Sequence, residues 1–290
     1  MLKTPKRLPT PITQRPATGG LRAAVRAVGM ARLDPSEVAA FRRKPAPIPE
    51  GWRPIAPTFL KASDEQSVAA VAAVLSAIAN GGVEAEPSAF AEWGVVAASC
   101  HLGRSQLVVA LKRFAEEGVW GVSPHLIPHY ALHSPAGTLS LALGAHGPNL
   151  GVGGGPGHAT EGALSALTWL SEGRLPGVWL VLTGHDPVFV PGPNGEPTTP
   201  SVCQALALAL EPVDGTTRRP ILQIAASDGS GPSGPLDFLE LHARLASMIE
   251  DDDSLFGPDL DASSTITLDE GMGLRLEWSV DADGGAGGNW

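Results

Sequence analysis

Three groups of residues in this 290-residue chain carry side chains capable of chemistry. Cys100 is followed by His101, a thiol beside an imidazole. His158 stands at the head of an Ala- and Leu-rich segment. His125, His129 and His133 recur every fourth residue, which on one helix face would align them as metal ligands. Each group also has a structural reading. On an extended chain Cys100 and His101 point to opposite sides, so the imidazole is badly placed to activate the thiol, and a buried, inert cysteine is expected. A cationic His158 would oppose the positive end of a helix starting there, while that same end favours anions and leaves a base or acyl-binding role open. Pro124, Pro128 and Pro135 interrupt a helix through the three histidines, and no carboxylate accompanies them, so no metal site is expected. Asp186 follows an apolar run, a place where α/β sheets put ligand-binding residues, although a turn before Pro187 accounts for it as well.

The elements that would position such groups are clearest from Gly147 to Gly173, GPNLGVGGGPGHATEGALSALTWLSEG. Leu150 to Val152 reads as a short strand. Gly153, Gly154, Gly155 and Gly157 allow a sharp turn, since glycine reaches positive φ without a Cβ penalty. From His158 a helix is predicted: Ala159, Ala163, Leu164, Leu167 and Leu170 keep helical spacing, and Gly173 gives the stop signal. No residue at the turn, with Pro156 at its centre, has a nucleophilic atom. The glycines also invite a dinucleotide-binding reading, but His158 stands where the third glycine of that fingerprint belongs and no acidic strand end follows about 20 residues on.

The strand, turn and helix resemble the nucleophile elbow of the thiolase-like β-ketoacyl synthases, whose pattern runs Gly-Pro-Asn, a short strand, Ala-Cys-Ala-Ser-Gly and an Ala-rich helix ending in Gly. The match continues upstream. VSPHLIPHYALHSPAGTLSLALGAHGPN is similar to the family's stretch before the nucleophile, GVVAASCHLGRSQ to its earlier strand and Gly-rich turn, and KASDEQSVAAVAAVLSAIANGG to the helix before that. His133–Gly137, HSPAG, resembles the chain-length-factor-like branch found beside some polyketide and aryl-polyene synthases. About half the chain, residues 60–210, is covered. On this resemblance Pro156 occupies the cysteine position, and 290 residues are too few to contain in full the second half that carries the family's histidines.

Around this segment the chain alternates strand and helix. Leu21–Met30 suits a first strand and, almost as well, a helix. Residues 44–58, with five prolines, read as a linker. A helix is predicted from Ser63, with Ser63 and Gln66 as a capping box and Val68, Val71, Ala72, Leu75 and Ile78 on its apolar face. Trp93–Ser99 and Val178–Thr183 read as buried strands. Ser105–Glu117 reads as a helix with Leu107, Val108, Leu111 and Phe114 on one side, and Thr138–Leu143 as a short one. Beyond a surface loop at 187–200, Val202–Leu210 is a helix or a strand, Ile221–Ala225 a strand, Leu236–Ile249 a helix, and Thr265–Trp278 one or two strands closing the sheet. The alternation predicts an α/β fold with a parallel sheet.

Composition narrows the function classes. The chain is 43% hydrophobic, 5% aromatic and carries 35 Gly and 27 Pro. Its apolar residues are mostly Ala, Leu and Val, suited to helices packed closely on a buried sheet. Residues 1–55 hold 11 Lys and Arg against 3 Asp and Glu, a net +8, which leaves −18 for the rest of a chain whose net is −10. The basic arm lacks aromatic interleaving, so a solvated or partner-docking role is expected rather than nucleic-acid binding. No apolar run reaches the roughly 18 residues of a membrane span. The N-terminus has no apolar signal core, so a cytoplasmic location is expected. Two cysteines supply neither a disulfide framework nor a metal motif.

The resemblance implies an α/β, thiolase-like αβα layered fold, truncated to about one half. Its expected layout is a basic disordered arm at 1–20, a ketosynthase N-terminal-type domain at 21–250, and an acidic loop, closing strand and flexible Gly-rich tail at 251–290. It implies a catalytically degenerate synthase-like subunit without cofactor or metal. Gly153, Gly154, Gly155, Pro156, Gly157 and His158 would form an elbow or acyl pocket. The alternatives are an acyl-transfer or acyl-binding enzyme using His158 or Cys100, and a nucleotide-binding module at Gly153–Gly157. A half-size chain should leave the elbow helix and its strands, Ala159 to Leu170 and Val178 to Leu182, uncovered. A homodimer or a heterodimer with a ketosynthase is therefore expected, with an acyl carrier protein as a further partner and no nucleic acid or membrane.

Overall fold

A computed structural model describes residues 21–45, 55, 57–80, 88–213, 219–226, 238, 242, 264–269 and 274–280. The chain runs β1 (Arg22–Leu33), α1 (Pro35–Arg43), α2 (Pro57–Leu60), α3 (Glu65–Asn80), β2 (Gly94–Ser99) and α4 (Arg104–Glu117). A 3-10 turn (Gly118–Gly121), α5 (Leu126–Tyr130) and α6 (His133–Leu143) lead to β3 (Asn149–Gly153) and α7 (His158–Ser171). Then come β4 (Val178–Asp186), β5 (Val202–Glu211), β6 (Pro220–Ala226), β7 (Ser264–Asp269) and β8 (Leu274–Val280).

All eight strands form one sheet in the order β3-β2-β4-β5-β1-β6-β8-β7. Alternation along β5 explains the layers. Ala205, Ala207 and Ala209 face the same core as α3, while Leu206, Leu208 and Leu210 face the core under α7. The period of two sends successive side chains to opposite faces, and small residues on one face let a helix lie close. The approach of α3 is closest at Gly29 of β1, where a Cβ would meet the Ala77 nitrogen at 2.2 Å. On the other face a Cβ at Gly162 of α7 would lie 2.6 Å from the Ala98 methyl of β2. The result is a helix–sheet–helix sandwich. Phe90, Trp93 and Trp179 make an aromatic cluster in the α3-side core, with Phe90 set edge-on to both indoles.

Several expectations change. The sheet is mixed: β2 is parallel to β3 and β4, whereas β4–β5, β5–β1, β1–β6, β6–β8 and β8–β7 are antiparallel. The segment between β4 and β5 holds no helix to cross the sheet, and an antiparallel pair is joined without one. Residues 202–210 are strand. Asp64, not Ser63, caps α3: its Oδ1 accepts from the Gln66 N–H at 2.9 Å, and the Ser63 hydroxyl points back toward the Phe59 carbonyl. The helix predicted at Thr138 begins at His133, because Pro135 falls within the first turn, where its missing N–H has no partner to lose. None of the α4 residues is buried, so Leu107, Leu111 and Phe114 face outward, 42%, 66% and 51% exposed.

The expected exposure of the elbow helix is also corrected. Ala159, Ala163, Ala166, Leu167 and Leu170 of α7, and Val178 to Leu182 of β4, are all buried. Leu222, Ile224 and Phe238 contribute to the core on that side. Of the helix predicted at 236–249, only Phe238 and His242 lie within the described residues, both helical. The arm at 1–20, most of the 44–58 linker, the acidic run at 250–253 and the C-terminal tail lie outside them.

Candidate functional site

The carboxyl ends of the parallel strands carry the candidate residues. The elbow between β3 and α7 is built on Gly153 and Gly154, with φ of 93° and 103°. A Cβ on Gly153 would come within 2.6 Å of the His158 Cβ and 3.0 Å of the Ser99 carbonyl oxygen. The Gly154 N–H donates to that carbonyl at 2.8 Å, which ties the turn to the end of β2. The sequence also assigned the tight positions to Gly155 and Gly157, and there the geometry differs. Gly155 has open space where a Cβ would stand, and Gly157 has φ −77° as the N-cap of α7. Pro156 is exposed on the outer corner. The Gly153 N–H donates to the Glu161 carboxylate at 3.1 Å, so an acidic side chain already answers the positive end of the helix.

His158 is buried, 8% exposed. Its Nδ1 lies 3.2 Å and 3.3 Å from the carbonyl oxygens of Gly155 and Pro156, which makes Nδ1 the protonated nitrogen. Nε2 is buried and has no hydrogen-bond partner among the described residues, and the ring stands 6.0 Å from that of Phe238. Burial lowers its pKa, so the neutral form is favoured. The imidazole braces the turn from within and faces away from solvent.

Cys100 is half-buried rather than fully buried, and burial pushes its thiol up. That disfavours the thiolate that chemistry would need. His101 does not address it. Its backbone is left-handed at φ 58°, and Nδ1 stands 3.0 Å from the Gly154 carbonyl oxygen, to which it can donate. The second residue after β2 thus clamps the turn after β3. The pairing was invisible in sequence, since 53 positions separate the two.

Two further clusters escaped the sequence. Thr183 Oγ1 lies 2.7 Å from Gln66 Oε1 and 2.8 Å from Ser99 Oγ, while Gln66 Nε2 donates to the Cys100 carbonyl at 2.9 Å. This buried net locks the ends of β2 and β4 to the first turn of α3. Beside it stand Asp64, Glu65, His185 and Tyr130. Burial raises the Asp64 carboxyl to about 6, against the pull of the Gln66 N–H. Glu65 is held below its usual range by His185, whose Nε2 is 3.5 Å from the Glu65 carboxylate. That is an ion-pair distance and too long for a good hydrogen bond.

Two cavities open here. One of about 460 Å³, lined largely by apolar atoms, touches the elbow through Gly154 and is walled by Leu107, Leu126, Ile127 and Leu132. The other, of about 540 Å³, is lined by Asp64, Glu65 and His185, together with Asp186 at the end of β4. His101, Arg104 and Tyr130 separate the two, lining both. His125 and His129 lie with ring centroids 6.2 Å apart, and among the described residues no three His, Cys, Asp or Glu side chains stand together as a metal-holding group. Among those residues, no helix is long and apolar enough to cross a membrane.

No protein-family model and no curated protein matches the sequence. Solved structures do match its fold. A complex of the ketosynthase ApeO with its chain length factor ApeC from Xenorhabdus doucetiae contains a chain aligned at 19% identity and TM-score 0.54, over 89% of this chain and 98% of that one. A β-ketoacyl synthase from Burkholderia phymatum STM815 aligns at 16% identity and TM-score 0.46, over 79% of this chain and 70% of its own. A type II polyketide-synthase acyl-carrier protein in complex with its ketosynthase includes a chain aligned at 18% and 0.46, covering 66% and 62%.

Proposed function

We propose, for a chain that has the thiolase-like α/β fold of ketosynthases and chain length factors, that it is a catalytically silent member of a synthase pair. The observation that carries the reading is the elbow. Gly153 and Gly154 supply the positive-φ turn on which a nucleophile would be presented, and the residue at its corner is Pro156. Covalent thioester chemistry needs a thiolate or hydroxyl there. The apolar cavity at Gly154 is suited to lie against an acyl chain held by a partner. The partner is an active ketosynthase or a second copy, the setting a cytoplasmic fatty-acid- or polyketide-type pathway, and an acyl carrier protein is the carrier that would visit the pair.

The support for a partner lies on the α4 side. Leu111, Phe114, Val119, Trp120 and Ile127 are each at least half exposed, Trp120 at 93%. Leu107 and Ile127 continue this surface into the cavity at the elbow. β3 is the strand at one edge of the sheet. Contiguous exposed apolar surface of this kind marks an interaction site.

An enzyme that uses His158 or Cys100 is less well supported, since the first is turned inward and the second is held as a thiol. A nucleotide at Gly153–Gly157 would meet the Glu161 carboxylate already on the Gly153 N–H.

The test is incubation with acyl-thioester donors followed by intact-mass measurement, paired with sedimentation after co-expression with a ketosynthase. The expected result is no acyl adduct on the peptide 153–158 and a stable two-chain complex. An adduct there, or a monomer both alone and with the synthase, would overturn the reading.

A further inference from the structure

Three consecutive carbonyls of the elbow are met by two imidazoles. His101 Nδ1 faces that of Gly154, and His158 Nδ1 stands 3.2 Å and 3.3 Å from those of Gly155 and Pro156. The turn is tied further by the Gly154, His158 and Glu161 N–H groups, which donate to the carbonyls of Ser99, Gly155 and Gly157. Unlike His101, His158 is buried, at the first residue of α7. Its burial has the same consequence whether or not the elbow serves a synthase pair.

The neutral ring fits this place, since Nδ1–H donates to the turn and Nε2 carries only a lone pair. A second proton would go on Nε2, which is buried with no hydrogen-bond partner among the described residues, in a ring whose neighbour is Phe238. An unpaired buried ion costs far more than a buried lone pair. The charges around it do not offset that cost. His158 stands at the positive end of α7. His101, with Arg104 beside it, brings positive charge from the end of β2 and the start of α4. The segment of Phe238 brings His242 among the described residues. Glu161, the acidic residue of the first turn of α7, is exposed and already accepts from the Gly153 N–H. Burial, with His101 adding to it, holds the imidazole below its ordinary 6.5 against the pull of the two carbonyls.

The ring takes that proton by leaving its place, and the turn it braces goes with it. We propose that His158 is a pH-operated latch on the elbow, closed while its imidazole is neutral and released, with the 155–157 turn and the first turn of α7, when protonated in mild acid. The sign follows from linkage. In the released turn the ring is in water and titrates near 6.5, above its value in the closed one. Closure is therefore fully present above about pH 6.5. It weakens as pH falls, by up to about tenfold per pH unit, until the pKa of the closed form is reached.

The experiment is amide hydrogen exchange on the full chain at about pH 7.5 and 5.5, expressed as protection relative to an unstructured peptide at the same pH. The amides of Gly154, His158 and Glu161 should lose about threefold to tenfold of their protection at the lower pH. Those of Val71 and Ala73 in α3 should keep theirs. His158→Asn retains a side-chain N–H donor bonded to Cγ, as Nδ1 is, and does not titrate. Its turn should be equally protected at both pH values, while His101→Asn should keep the response of the parent. Ring-nitrogen NMR of the parent, which needs no variant to fold, should give His158 a pKa below 6.5. A value at or above 6.5 would overturn the proposal, as would turn protection that ignores pH. So would a loss that persists in His158→Asn, disappears in His101→Asn, or is shared by α3.

Discussion

The imidazole of His101 reaches across from the end of β2 to the carbonyl of Gly154, its Nδ1 3.0 Å from that oxygen, and so fixes the turn that follows the neighbouring strand. The contact is made from a left-handed backbone at φ 58°, a conformation that costs an L-residue free energy. The two effects oppose each other, and substitution separates them. His101→Ala loses the hydrogen bond and keeps the strain, whereas His101→Gly loses the bond and relieves the strain. The alanine variant should therefore be the less stable of the two, by about 1 kcal/mol, in chemical denaturation. Equal stability would mean the backbone there is unstrained.

The elbow itself predicts a contrast between neighbouring glycines. At Gly153 a side chain must be accommodated at φ 93° with its Cβ 2.6 Å from that of His158. Gly155 has open space at the same point. Gly153→Ala should destabilise by about 1–3 kcal/mol and Gly155→Ala by less than about 0.5. Melting temperatures decide it, and the reverse order would show that the turn is held elsewhere.

How far the sequence revealed this arrangement depended on the range of the interactions. Strand, turn and helix at 149–171 were legible because glycine clusters and helical spacing are local signals. So was the buried character of β2 and β4, written in unbroken apolar runs. The register that makes β5 antiparallel to both β4 and β1 was not local: Val202–Leu210 is apolar apart from Gln204, which suits a helix as well as a strand buried on both faces. The apolar stripe of α4 was legible as a stripe, but its direction was not. The same periodicity describes a face turned to a core and a face turned outward. His101, Gln66 and Asp64 were missed as positioning residues because their partners are Gly154, Thr183 and a cavity assembled from distant segments.

Asp64 predicts a pH dependence. Its carboxyl is raised from 3.8 to about 6 in the folded chain, chiefly by burial. Below about pH 4 it is protonated in both states and contributes nothing to the difference. Between about pH 4 and 6 the unfolded chain gives up the proton first, so this group makes stability fall as pH rises, and above about 6 its penalty is complete. Glu65 and Asp34, both held below their usual range, push the other way as their contributions are lost on acidification. Asp64→Asn removes the first effect and retains the cap. Subtracting its denaturation profile from that of the parent should leave a relative gain for the variant that grows between about pH 4 and 6 and is flat above. A flat difference throughout would place the Asp64 carboxyl at an ordinary pKa.

The α4 side predicts a separation of stability from association. Trp120 is 93% exposed and Phe114 51%, so neither contributes much burial to the single chain. Surface substitutions of this kind usually change stability by less than about 0.5 kcal/mol. At an interface, however, aromatic anchors carry a large part of the binding free energy, and truncating one commonly costs about 2 kcal/mol or more. Trp120→Ser and Phe114→Ser should therefore melt with the parent yet weaken association, with itself or with a co-expressed ketosynthase, by about thirtyfold each. Sedimentation across a concentration series measures the shift. Substitution of Val188, half exposed on the β4–β5 loop, serves as the control and should leave association unchanged. If the serine variants associate as the parent does while Val188→Ser weakens it, the contact lies on the loop side. The apolar run from Leu107 to Ile127 would then have no part in holding the pair.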